Sequence, residues 1–196
     1  MQHLTPEQVA LVDRLAHSLY QVVPARYKTY CAVTAGVCLR VLQACGVPAQ
    51  LQPCQLWHLG PHHNHVIGFI GGRHKPGTWD GHVVCAAGHL LIETAAQHFD
   101  VQFGLPCPWV VVTPRVELPT QALARAELSE GNSLMWMQPP PDVDPTPPHE
   151  PDDLVQGLAR QLLARLHPAG GRVGAASLHT ALLPAQRPAT RSQLKP

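Results

Sequence analysis

Apolar residues near the N-terminus recur at helical spacing: Val9, Val12, Leu15, Ala16 and Leu19 form one stripe. Thr5 can cap this segment, Pro6 suits a first helical position, and Gln8 completes a capping box. A first helix is therefore predicted to run to about Val22. After the connector "VPARYKTY", a second run from Cys31 to Cys45 carries Val33, Val37, Leu39, Val41 and Leu42, and Gly46 and Pro48 stop it. That segment is apolar almost all round, the pattern of a central, buried helix.

Beyond Val47 the periodicity changes to that of strands. "AQLQPCQLWHL" alternates imperfectly, and Pro53 within it marks a bulge or an edge. "HVIGFIG", "WVVVTP" and "NSLMWM" are further strand candidates, with "GRHKPGTW" a loop between the first of these and the next strand. "HVVCAAGHLLIE" reads as a hairpin around Ala87-Gly88. Helices followed by successive antiparallel strands give an α+β domain, its N-terminal helices packed on an antiparallel sheet. This domain is assigned to residues 1–137. A proline-rich linker follows at 138–151, then a helix at 152–167 ("DDLVQGLARQLLARL"). The tail 168–196 is rich in Gly, Pro, Ala and Ser and is expected to be disordered.

Composition narrows the functions on offer. Charged residues are 14% of the 196, and the formal net charge is +1. Nothing in that balance attracts nucleic acid or an anionic membrane surface. No window approaches the apolar length of a membrane span, and the N-terminus lacks the basic-then-apolar pattern of a secretion signal, so a cytoplasmic location is expected. The six cysteines sit mostly inside apolar runs, and none forms a C-x-x-C pair. Reduced, buried thiols are expected rather than bridges or a thiolate zinc site, and no cofactor is called for.

Two residues do not suit an apolar hairpin: His82 and Glu93. With Ala87-Gly88 as the loop, paired residues sum to 175, which sets His82 directly across from Glu93 on one face, Cβ atoms about 5 Å apart. A histidine steered by a carboxylate has its tautomer fixed and its protonated form stabilised, as a base for a thiol or hydroxyl requires. The partner nucleophile is expected to be Cys31, which opens the buried helix where free N–H groups and the helix dipole favour an anion. Cys38 and Cys45 lie too far down that helix, and Cys85 points to the other face of its strand. Trp79 and Asp80, just before the histidine, and Gln97, just after the acid, are candidates for substrate binding or for holding an oxyanion, with Gln21 a further possible donor. Segments 57–81 and 104–132 are expected to build the cleft. A rival chemistry is metal binding by His58, His62, His63 and His65, although no acidic or thiol ligand adjoins them.

Taken in order, "YCAVTAGVCLRVLQACGVPA", then "WDGHVV", then "LLIETAAQHF" resembles the transglutaminase-like branch of the papain-like cysteine enzymes. The resemblance spans roughly residues 27–103. It implies a papain-like/transglutaminase-like core in which Cys31 attacks an acyl carbonyl and forms a thioester, His82 acts as base and acid, and Glu93 stands where that superfamily usually has aspartate. The implied substrate is a peptide, a protein or a small amide or thioester, processed by hydrolysis or acyl transfer. The alternative is a non-catalytic module of the same fold that binds a peptide or protein in the inherited cleft.

Overall fold

The computed structural model describes residues 2–70, 79–116, 121–147 and 152–167. The first helix, α1 (Pro6–Val22), begins as its sequence dictates. The Thr5 side chain accepts from the Gln8 backbone N–H, and the Gln8 side chain accepts from the Thr5 N–H. Its apolar stripe, Leu11, Val12, Leu15 and Leu19, is buried. A short 3₁₀ turn at Ala25–Tyr27 leads into α2 (Cys31–Ala44), whose residues from Ala32 to Cys38 are buried without interruption. This helix ends at Gly46, whose φ of +71° is the left-handed conformation that glycine adopts without strain.

Among the described residues seven strands follow: β1 (Ala49–Leu59), β2 (Asn64–Ile67), β3 (His82–Ala87), β4 (Leu90–Glu93), β5 (Val111–Pro114), β6 (Ala122–Glu127) and β7 (Ser133–Met137). A helix α3 (Gln97–Phe103) lies between β4 and β5, and α4 (Asp152–Leu166) comes last. The sheet is antiparallel in the order β5-β4-β3-β1-β7-β6, with β2 paired to β1 as well. An Arg115–Ala124 bridge brings the two ends of that order together, so the sheet is nearly closed. The fold class is therefore α+β.

β1 is the longest strand and the axis of the sheet. Residues 49–54 pair with β3, and residues 55–59 pair with β7 while β2 pairs with 56–59. Pro53 consequently sits mid-strand without a bulge in its ladder. It pairs with Val83 on one side, and the β7 ladder on the other side begins only at Gln55. The missing N–H of proline is tolerated because that half of β1 has a single strand partner.

Alternation on β3 and β4 divides the core in two. Val83, Cys85, Ala87, Leu90 and Ile92 pack with α1, α2 and α4. Val84 and Leu91 face the sheet interior with Leu56, Phe99, Leu134 and Trp136. α4, set apart from domain 1–137 by the sequence reading, joins the first of these clusters through Val155, Leu158, Ala159 and Leu162. Segment 138–147 has no regular element, whereas 148–151 and the tail 168–196 lie outside the described residues, as does loop 71–78. All six cysteines are free thiols. Among the described residues no helix is long and apolar enough to cross a membrane.

Two elements escaped the sequence reading. β6, "ALARAE", is alanine-rich and weak in β-propensity, and pairing with β7 makes it a strand. α3 has seven residues, too few for a periodic signal, and ends at Gly104 with φ of +67°.

Candidate active site

The hairpin that carries His82 and Glu93 differs from the predicted register. Cys85 pairs with Ile92, Ala86 with Leu91 and Ala87 with Leu90, so the loop is Gly88-His89 and paired numbers sum to 177. Gly88, with φ of +52°, provides the turn, because its left-handed backbone suits the first loop position better than Ala87 would. The correction is two residues, an even number, and an even shift keeps every side chain on its face. His82 and Glu93 are therefore not directly opposed but diagonal, and they still meet.

His82 Nε2 lies 2.7 Å from Glu93 Oε2, with both side chains buried. Three donors hold the carboxylate. Besides His82, the Trp136 indole N–H donates to Oε2 at 2.9 Å and the Ala95 backbone N–H donates to Oε1 at 2.6 Å. Burial alone would raise Glu93, but the imidazolium and these hydrogen bonds outweigh it and hold the carboxyl below its ordinary range. Burial would likewise depress His82. The Glu93 charge, together with a hydrogen bond and charge from Cys31, reverses that and pushes the imidazole up to about 10. Since Nε2 is committed to Glu93, Nδ1 is the ring nitrogen left for the thiol.

Cys31 is the first residue of α2, and no side chain caps that helix at Tyr30. The N–H groups of its first turn are thus free of side-chain acceptors. Cys31 is partly exposed and shares with His82 a cavity of ≈ 650 Å³. The walls come from residues 29–32, from Ile67, Gly68 and Ile70, from 79–82, and from His98 and Gln102 of α3. None of the described residues of segment 104–132 lines it; 111–114 and 122–127 are used in β5 and β6, which corrects the expected cleft.

The cavity also places the secondary candidates. Trp79 and Asp80 line it. The Trp79 ring meets Phe69 edge-to-face, and its indole N–H is buried without a hydrogen-bond partner among the described residues. Asp80 fastens the opposite strand end: its carboxylate accepts from the Ile70 N–H at 3.2 Å, and its carbonyl accepts from the Phe69 N–H. Gln97 does not reach the cavity. It is buried on another face of α3, while His98 and Gln102, one turn apart and hydrogen-bonded, face the opening. Gln21 is exposed on α1 and bonds the His17 carbonyl. Trp136, 43 residues from Glu93, has no local signature that sequence reasoning could have used.

Backbone geometry over His82 is tight. A Cβ on Gly68 (φ +83°) would lie 2.7 Å from both the Cβ and the N of His82. Phe69 follows at φ of +54°, an uncommon conformation for a bulky residue, between two residues that line the cavity, Gly68 and Ile70.

The histidine-rich segment forms a stack rather than a converging ligand set. His63 lies parallel to His58, with Nε2 3.3 Å from His58 Nδ1, and His65 packs on His63 and Phe103. His62 is exposed. Burial, then the neighbouring His63 and His65, lower the His58 imidazole. Among the described residues no three His, Cys, Asp or Glu side chains are placed to hold a metal ion.

No family model matches the chain, and no curated protein matches it. A crystal structure of a genomics target is similar at a TM-score of 0.42 and 15% identity, over 88% of this chain and 84% of that one.

Proposed function

We propose that the chain is a cysteine-dependent acyl enzyme with a core of the papain-like, transglutaminase-like kind, acting through Cys31, His82 and Glu93. The observation that carries this reading is the buried His82–Glu93 pair, whose free ring nitrogen meets a thiol at an uncapped helix tip that opens to a cavity. An imidazole, a carboxylate and an indole buried together contribute little to stability compared with apolar residues of the same size. They do fix one ring orientation, as acyl chemistry requires.

In this mechanism His82 holds the proton of the thiol and the Cys31 thiolate attacks an amide or thioester carbonyl. The S–C bond forms, the carbonyl π electrons move to oxygen, and N–H groups at the start of α2 receive that oxyanion. Collapse expels the amine or thiol, which takes the proton from His82. Water, or an acceptor amine or hydroxyl, then gives a proton to His82 as it attacks the thioester, releasing product and free thiol. Glu93 keeps the ring oriented and stabilises its charge throughout.

Iodoacetamide labelling against pH, followed by mass spectrometry of each cysteine, tests the reading. Cys31 is expected to react fastest of the six near neutral pH, and His82→Ala is expected to slow it. Equal reaction of Cys31 and an exposed model thiol would overturn the proposal.

A further inference from the structure

The sulfur sits on a helix and the imidazole on a strand, so something must fix the distance between the two elements. The helix end offers no cap of its own, because Tyr30 makes no side-chain capping bond. One turn further in, Thr34 is fully buried, and its hydroxyl donates back to the carbonyls of Tyr30 (3.1 Å) and Cys31 (3.3 Å). That commits its single proton to the helix tip. Its lone pair then accepts from the hydroxyl of Thr94 at 2.8 Å, and Thr94 is also fully buried.

Thr94 follows Glu93 directly. The Glu93-Thr94-Ala95 tripeptide therefore holds both halves of the pair at once. Glu93 takes His82, the Ala95 N–H fixes the Glu93 carboxylate, and the Thr94 hydroxyl takes the turn that bears Cys31. Behind it, the Tyr20 hydroxyl of α1 donates to the Thr94 carbonyl, which ties a third element to the same point.

We propose that Thr34 and Thr94 form a positioning clip that sets the Cys31 thiol against the His82 ring. The inference rests on the reading of Cys31 as nucleophile and goes beyond it. Valine would fill either buried site with nearly the same volume, and a neutral hydroxyl pair contributes only about 1 kcal/mol net to stability. What the hydroxyls add over valine is direction. They fasten two carbonyls of the helix tip to the residue just after β4 through an unbroken donor–acceptor chain.

The test compares wild type with Thr34→Val, Thr94→Val, the double variant and Thr34→Ser. For each, the urea midpoint and the pH profile of Cys31 alkylation are measured. Displacing reacting groups by about 1 Å can cost on the order of 100-fold in rate. Each valine variant is accordingly expected to slow alkylation at pH 7 by about 10- to 100-fold. At pH about 10, where an ordinary thiol ionises unaided, the variants and wild type are expected to converge. The double variant should be no slower than either single one, since both remove the same contact. Thr34→Ser should restore the wild-type profile. Should Thr34→Val fail to fold, Thr94→Val and Thr94→Ala remove the same bond from its other end. Valine variants with an unchanged profile, beside a wild-type Cys31 that reacts fast, would overturn the clip and leave the nucleophile standing. A wild-type Cys31 no faster than a model thiol would overturn the nucleophile and with it the clip.

Discussion

Replacing Trp136 by phenylalanine isolates the most remote support of the site. The indole N–H is one of three donors to a fully buried carboxylate, 2.9 Å from the same oxygen that faces His82. A hydrogen bond to a charged group contributes roughly 1.5–3 kcal/mol. Shrinking a fully buried indole to a phenyl ring adds about 1 kcal/mol for lost packing. The sum, about 2.5–4 kcal/mol, corresponds to a fall in Tm of roughly 5–16 °C for a chain of this size. The pH dependence separates the two contributions. Glu93 is held below its ordinary pKa, so its share of stability is present above about pH 4.5 and is lost as pH falls through the lowered value. Without the indole that value rises, and the penalty of Trp136→Phe should be largest at pH 7 and shrink once pH falls below the ordinary carboxyl value, so pH 7 is compared with about pH 3. Urea denaturation of both proteins at the two pH values measures it. A penalty equal at both would show that the indole only fills space, and would refute its role as a donor to Glu93.

Three other substitutions probe separate links in the structure. Glu93→Gln removes the charge that raises His82. The His82 contribution is complete below the ordinary histidine value of about 6.5 and is lost as pH rises toward about 10, so the stability gap between wild type and Glu93→Gln should be widest near pH 6 and close by pH 10 in urea titrations. Gly68→Ala places a methyl 2.7 Å from His82 at a φ of +83° and should cost more than about 1 kcal/mol while slowing Cys31 alkylation; a neutral effect on both would contradict the tight packing over the ring. Thr5→Ala removes the α1 cap and should cost about 0.5–2 kcal/mol by thermal melting, with Cys31 reactivity unchanged.

The parts legible in the sequence were those governed by local rules. The caps of α1 and the stop of α2 at Gly46 depend on residues within a few positions, and they appear where the pattern put them. His82 and Glu93 could be assigned to one face because parity survives a two-residue error in register. The loop itself was misplaced because Ala87-Gly88 and Gly88-His89 differ by backbone energies too small to read from residue types. Non-local facts were out of reach. Trp136 meets Glu93 only because β7 pairs with β1, and the α3 face that lines the cavity depends on how seven residues rotate against β2. Gln97 was chosen for adjacency in sequence, but on a helix the next residue points about 100° away, and the interior took it.

The lane beside β1 has a consequence for how such a protein can change. β2 and β3 occupy successive stretches of it, Ile67 against Leu56 and His82 against Cys54. Each is held there by its own ladder. A substitution that loosens the β2 ladder therefore leaves the β3 ladder that seats the imidazole intact, so the Ile67 wall of the opening can change shape without retuning the reacting groups.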